Sequence, residues 1–121
     1  MLKDDLYHII SFTHKEGALT AGLELNAGHP LFQGHFPGQP VVPGACLLQM
    51  VKELLMTAVE TGLTLSKASN LKFLSPADPS QNATLNVSLT YLQDNGLLKT
   101  TATITSGENS CLKFQGEFKM S

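Results

Sequence analysis

The chain is organised around one stretch, residues 29–44, which reads His29-Pro30-Leu31-Phe32-Gln33-Gly34-His35-Phe36-Pro37-Gly38-Gln39-Pro40-Val41-Val42-Pro43-Gly44. Its density of Pro and Gly predicts a loop without regular helix or strand. The residues that follow are largely apolar and contain no Pro or Gly before Gly62. We therefore expect an ordered loop that leads directly into a buried helix, and loops on a firm scaffold often carry functional residues.

Pro43 and Gly62 bound the predicted helix, because Pro is favoured in the first turn of a helix and Gly just after its end. Such a helix has about 18 residues and a length of roughly 27 Å. Its apolar residues cover most of its circumference, which predicts burial on nearly every side. Its polar residues fall along one narrow edge: Gln49, Lys52, Glu53 and Glu60.

Around this helix the sequence predicts about six mostly antiparallel strands. Residues 6–13 and 19–25 predict an N-terminal hairpin, and residues 67–74 predict a further strand. Residues 83–91 alternate between apolar and polar side chains, and turn signals after them predict two more hairpin-linked strands. A helix that is apolar all round needs a curved sheet to cover it. The predicted fold is therefore one α+β domain spanning residues 1–121.

Composition excludes several classes of function. The net charge is −2, without a basic stripe, which argues against nucleic acid or a membrane surface as partner. The longest apolar stretch is too short and too charged to cross a bilayer. Cys46 and Cys111 are the two cysteines, and without a recognisable export signal they predict reduced thiols in the cytoplasm. The pair His29 and His35 lacks a third ligand, so no metal site is predicted.

The segment His35-Phe36-Pro37-Gly38-Gln39-Pro40-Val41-Val42-Pro43-Gly44 resembles the active-site motif of the bacterial 3-hydroxyacyl-(acyl-carrier-protein) dehydratases, hot-dog-fold enzymes of fatty-acid synthesis. The likeness extends to residues 30–34, to Leu71-Lys72-Phe73 before Pro76, and to the three C-terminal strands. It implies the hot-dog fold, a long helix in a curved antiparallel sheet. It further implies that (3R)-3-hydroxyacyl thioesters on the phosphopantetheine arm of acyl carrier protein lose water to give trans-2-enoyl thioesters. The pathway would be fatty-acid, polyketide or polyene synthesis, without a cofactor.

The resemblance also implies roles for individual residues. His35 would be the base that removes the proton next to the thioester carbonyl, and the near-neutral pKa of histidine suits this task. The Val41 carbonyl would orient the imidazole ring. The Gly44 N–H, at the start of the helix, would polarise the thioester carbonyl as in an oxyanion hole. Candidates for the wall of an acyl tunnel are apolar: Phe32, Phe36, Leu48 and Val51.

Position 49 departs from the family pattern. The family carries Glu or Asp there, whereas this chain carries Gln49, whose amide cannot usefully give up a proton. Four residues on, the family commonly has Gln and this chain has Glu53, so the two residues look exchanged. They share a helix face, about 6 Å apart along the axis. We hypothesise that Glu53 supplies the proton, directly or through a water held by Gln49. The alternative is that Glu53 pairs with a lysine or faces solvent.

The resemblance finally implies a homodimer whose sites are shared between two chains. The three C-terminal strands would leave an exposed edge unless they are paired, which would also make a monomer unfavourable. Two other functions stay open. Loss of the helix carboxylate is what a non-catalytic hot-dog partner of an active dehydratase would show, in a heterodimer. A thioesterase shares the fold but releases free acid and free carrier thiol.

Overall fold

The computed structural model describes residues 1–34 and 38–121 of the chain. Over these residues the elements follow in the order β1 (Tyr7–Lys15), β2 (Ala18–Leu25), α1 (Leu31–Gly34), α2 (Gly44–Val59), β3 (Leu63–Phe73), β4 (Thr84–Asp94), β5 (Leu97–Ser106) and β6 (Asn109–Met120). The predicted long helix and the predicted number of strands are both present.

The strands form one sheet in the order β1-β2-β4-β5-β6-β3, and every neighbouring pair is antiparallel. The hairpins β1-β2, β4-β5 and β5-β6 are the local pairings that the turn signals predicted. β3 pairs with β6, so the connection from β3 to β4 has to pass β6 and β5. This pairing brings distant parts of the chain together. The three C-terminal strands therefore lie inside the sheet, where pairing with β2 and β3 covers the edges that they would otherwise expose. Among the strands that the structure describes, β1 and β3 form the edges of the sheet.

The hydrophobic core lies between one face of the sheet and one side of α2. The alternating residues of β4 and β5 supply the sheet side, and α2 supplies the other. Each fully buried leucine in such a core contributes about 1.5–3 kcal/mol relative to an exposed one. The core leucines of these three elements are Leu47, Leu54, Leu55, Leu85, Leu89 and Leu98.

Helix α2 is fully buried along the side that faces the core and mostly half-buried elsewhere in this protomer, so the prediction of burial on nearly every side holds in part. Leu47, Met50 and Val51 are buried, whereas Ala45 is exposed and Leu48 is half-buried. The sheet curves past the helix without enclosing it, which leaves an apolar flank open. No helix in the described part of the chain is long and apolar enough to cross a membrane.

The helix ends before the predicted position. Its last helical residue is Val59, and Glu60 adopts a left-handed conformation with φ 56° while donating its N–H to the Met56 carbonyl oxygen at 2.8 Å. The chain needs the residues after Glu60 to turn into β3, which begins at Leu63 rather than at residue 67. Gly62 therefore lies in the connection and does not cap the helix.

The predicted loop contains one turn of helix, α1. It begins just after Pro30, where a fixed φ suits helix initiation. The N–H of Phe32 donates to the His29 carbonyl oxygen at 3.1 Å, and the N–H of Gln33 donates to that of Pro30 at 3.1 Å. Phe32 is buried and anchors the turn against the core. The prediction of no regular structure was wrong for these four residues.

Candidate active site

The first turn of α2 lies beside an apolar cleft. Pro43 occupies the N-cap position with φ −58° and ψ 143°, and its ring offers no polar atom to the N–H groups that begin the helix. These groups carry the positive end of the helix dipole. The cleft has a volume of about 430 Å³ and is lined mainly by Val41, Val42, Pro43, Gly44, Phe73 and Cys111.

Gly44 leaves room for the close approach of an aromatic ring. A Cβ at this position would lie 2.8 Å from two ring carbons of Phe73, which is too close for real Cβ contacts. The Phe73 side chain is itself 51% exposed, so it roofs the start of the helix at the surface of the cleft. The sequence motif already contained Phe73, but only its packing on Gly44 places it at the site.

Two further residues of the motif, Val41 and Val42, line this cleft. Val42 is buried, and its N–H donates to the Ala77 carbonyl oxygen at 2.9 Å. This hydrogen bond fixes the loop segment that leads to Pro43. Val41 is half-buried on the cleft wall. His35 and Phe36 lie outside the described residues, so their predicted roles stay predictions. The predicted role of the Val41 carbonyl depends on His35 and also stays a prediction.

Gln49 lies one and a half turns further along α2, on its open flank. It lines a shallow pocket of about 180 Å³ together with Ala45, Leu48, Lys52, Leu65 and Phe118. Leu65 belongs to the edge strand β3 and is 38% exposed. Gln49 therefore stands in a mostly apolar pocket that is open at the surface of the protomer. Of the other tunnel candidates, Phe32 and Val51 belong to the core.

Glu53 is the most deeply buried charged residue of the site, with 1% of its surface exposed. Its Oε1 accepts the Lys3 N–H and the Tyr7 hydroxyl, each at 2.9 Å. Its Oε2 accepts the Leu2 N–H and the Gln49 side-chain N–H, each at 2.9 Å. The predicted alternatives, pairing with a lysine side chain or exposure to solvent, were wrong, as was its placement on a polar edge. The N-terminal residues cover this part of the helix, which the helix pattern could not reveal.

These hydrogen bonds determine the charge of Glu53. Burial by itself raises the pKa of the carboxyl, but the hydrogen bonds from Leu2, Gln49, Tyr7 and Lys3 outweigh it and hold the pKa below its usual range. Burial and the adjacent carboxylate raise the pKa of Tyr7, which therefore remains a hydroxyl donor. Glu53 is thus ionised near neutral pH. Its predicted role as proton donor stays a prediction, and it would require the carboxylate to take up a proton first.

The remaining candidate groups have other partners. His29 places Nε2 3.2 Å from the Asp5 carboxylate, and its Nδ1 accepts the Leu31 N–H at 3.0 Å. Burial raises the pKa of both Cys46 and Cys111, so both thiols are held in the unreactive protonated form. In the chain outside residues 35–37, no three His, Cys, Asp or Glu side chains come together as a metal site would require.

Comparison with known proteins places this geometry in a family. The ApeI-like family, described as ApeI dehydratase, matches residues 11–115. The chain belongs to the ApeI-like dehydratase family. The matched region contains the loop, all of α2 and the cleft. The predicted resemblance to hot-dog-fold dehydratases is confirmed.

Individual relatives agree with this family. The 3-hydroxyacyl-(acyl-carrier-protein) dehydratase FabZ of Latilactobacillus sakei is 32% identical over 111 residues, covering 85% of this chain and 78% of the relative. FabZ of Oenococcus oeni is 36% identical over 88 residues, covering 66% of this chain and 63% of the relative. The match therefore spans a little less than two thirds of the Oenococcus protein.

A solved structure confirms the fold. The dehydratase heterocomplex ApeI:P from Xenorhabdus doucetiae superposes with a TM-score of 0.74 and covers 93% of this chain and 96% of the matched chain, at 24% identity. The antiparallel six-stranded sheet with α2 packed on it is thus the hot-dog fold that the sequence predicted. The family match and the superposition thus agree with the predicted likeness to hot-dog-fold dehydratases.

Proposed function

We propose that this family member acts on (3R)-3-hydroxyacyl thioesters of acyl carrier protein and converts them into trans-2-enoyl thioesters. The observation that carries the proposal is the cleft at Gly44. There an uncapped helix start meets an apolar space of about 430 Å³ inside the dehydratase motif. The fatty-acid, polyketide or polyene chain is the proposed substrate class. We further propose that residues 1–121 act as one hot-dog domain in the cytoplasm.

The elimination begins with removal of a proton from the carbon next to the thioester carbonyl. His35 is the proposed base, oriented by the carbonyl of Val41. The negative charge that develops on the thioester oxygen would be stabilised by the N–H of Gly44, where the helix dipole favours an anion. A thioester seated there would run its acyl chain along apolar side chains.

The departing hydroxyl also needs a proton, because hydroxide leaves poorly. Gln49 stands at the position of the family acid and can hold the hydroxyl by a hydrogen bond, but it supplies no proton. The sequence hypothesis makes Glu53 the proton source, directly or through a water; a water held by Gln49, with Glu53 remaining ionised, is the alternative source. Because the pKa of Glu53 is held low, the carboxylate would have to take up a proton before it could donate one. Full activity of Glu53→Gln would exclude Glu53 as the donor.

Pairing of two hot-dog protomers is part of the proposal. Strand β3 is at the edge of the sheet within the described residues, and its residues 64–70 are exposed. Leu65 and the half-buried Leu48 add apolar surface on the same side. A long exposed edge with apolar neighbours favours association with another strand or chain. The partner would be a second copy of this chain, in a dimer or higher oligomer, or another hot-dog protein.

A second candidate function is that of a non-catalytic partner subunit. It is favoured by one observation, the amide of Gln49 in place of a carboxylate. In that case the chain would complete the site of an active dehydratase and show no turnover alone.

The test is product analysis with a 3-hydroxyacyl-carrier-protein substrate, using the purified chain alone and together with a second hot-dog protein from the same source. We expect the mass of one water to be lost from the acyl carrier protein, and we expect His35→Ala to abolish the loss. His8→Ala is the matched control, because His8 is an exposed histidine on β1. Turnover only in the mixture would establish the partner function. Release of free acid would instead establish a thioesterase.

A further inference from the structure

The side-chain amide of Gln49 is held on one side by the charged carboxylate of Glu53. Its Nε2 donates to Oε2 of Glu53 at 2.9 Å, across one helical turn. An ionised carboxylate can only accept hydrogen bonds, so Gln49 has to present its NH₂ group to Glu53. The nitrogen and oxygen of a planar amide point in different directions. The carbonyl oxygen of Gln49 is therefore turned away from Glu53.

The Glu53 carboxylate cannot rotate to release this orientation. Its Oε1 is held by the Lys3 N–H and the Tyr7 hydroxyl, and its Oε2 is also held by the Leu2 N–H. All these distances are 2.9 Å, and the side chain is 1% exposed. Rotation would leave buried donors without acceptors, which is costly in a protein interior. The N-terminal residues thus lock the carboxylate, and the carboxylate locks the amide.

We infer that Glu53 is a positioning residue, which fixes the Gln49 amide so that its carbonyl oxygen accepts a hydrogen bond from the 3-hydroxyl of the substrate. The pocket of about 180 Å³ that Gln49 lines with Leu48 and Leu65 is where that hydroxyl would lie. The inference rests on the proposed function. Position 49 then offers an acceptor where the family carries an acid, so the site discriminates in favour of ligands that present a hydroxyl there.

The orientation is tested first without any turnover. In isotope-labelled wild-type protein, we expect a through-hydrogen-bond coupling between the Gln49 side-chain nitrogen and the Glu53 carboxyl carbon. Tyr7→Phe is the matched control, because Tyr7 binds the other carboxylate oxygen. The coupling should persist in Tyr7→Phe and vanish in Glu53→Gln. Its absence from the wild type would overturn the inference, even if Glu53→Gln failed to fold.

The hydroxyl contact is tested by titrating the wild type with 3-hydroxyoctanoyl pantetheine and, separately, with octanoyl pantetheine. The Gln49 side-chain amide signals should move with the hydroxylated probe and stay in place with the saturated one. Equal movement with both probes, or none with either, would contradict the contact. This result does not depend on whether the chain turns the substrate over.

Kinetics then separates positioning from mere stability. With an active preparation we expect Glu53→Gln to lower kcat on the order of 10- to 100-fold, since small misplacements of a reacting group cost this much, while KM rises far less. Leu89→Ala, which opens a cavity in the core away from Glu53 and Gln49, should lose stability but keep kcat. Equal losses of kcat in both variants, in proportion to unfolded protein, would refute positioning. An inactive wild type with intact coupling would count against the proposed function and leave the orientation established.

Discussion

Replacing Glu53 by Gln tests how strongly the buried carboxylate holds the N-terminal residues on α2. The substitution keeps the size of the side chain and removes one acceptor oxygen and the charge. In the wild type, four donors converge on this carboxylate, from Leu2, Lys3, Tyr7 and Gln49. An amide can serve at most two of them with its single oxygen in the same place.

The expected loss follows from these contacts. The amide oxygen would keep the Lys3 N–H and the Tyr7 hydroxyl, and its NH₂ would face Leu2 and Gln49. Gln49 lies near the surface and can flip its own amide, but the Leu2 N–H cannot. One unsatisfied N–H costs about 1–3 kcal/mol, and loss of charge weakens each of the two kept bonds by about 1 kcal/mol. Since a buried charge no longer has to be desolvated, we expect a net loss of about 3 kcal/mol.

The assay is thermal and urea unfolding at one protein concentration, because association would otherwise shift the midpoint. A loss of about 3 kcal/mol corresponds to roughly 10 °C in Tm for a chain of this size. Glu60→Gln is the matched control at the C-cap of the same helix: Glu60 is exposed, so its replacement should change stability by less than about 0.5 kcal/mol. Equal midpoints for the two variants would refute the role of Glu53 as an anchor. Hydrogen exchange should show lost protection at the Leu2 and Lys3 amides.

Three further predictions concern pH, the cleft and the thiols. The pKa of Glu53 in the folded chain lies below its ordinary value, so the stabilisation by this carboxylate should be complete above about pH 5 and be lost as the pH falls through the folded-state pKa. The free energy of unfolding should therefore fall less steeply with decreasing pH in Glu53→Gln than in the wild type. Parallel curves for the two proteins would contradict this. Gly44→Ala should displace Phe73, because the new methyl group would lie 2.8 Å from its ring, and turnover should be abolished. The free energy of unfolding should fall by at most about 3 kcal/mol. Unfolding measurements on the double variant Gly44→Ala/Phe73→Ala should show that this stability is recovered. Cys46 should react with iodoacetamide more slowly than a free thiol at pH 7, because burial raises its pKa; a rate equal to that of glutathione would show that this thiol is not shielded.

The local elements of this fold could be predicted from the sequence because their signals are local. Side chains alternate across a strand, so the period of residues 83–91 marks the buried face of β4 wherever the strand lies. Pro43 marks the start of α2 for a similar reason, since its ring fixes φ and removes a donor at a position that tolerates both. The motif from His35 to Gly44 allowed the family to be recognised before any contact was known.

The tertiary structure decided what depends on contacts between distant residues. Glu53 reads as part of a polar helix edge, and three of its four hydrogen-bond donors, on Leu2, Lys3 and Tyr7, lie 46–51 residues away along the chain. No helical period carries that information. The place of β3 beside β6, the open flank of α2 and the contact of Phe73 with Gly44 are likewise set by the closing of the sheet. The sequence by itself determined the family, the helix and the strands. Only the folded chain determined that the exchanged carboxylate is buried and ionised, because a charge is stabilised there solely by donors that folding brings together.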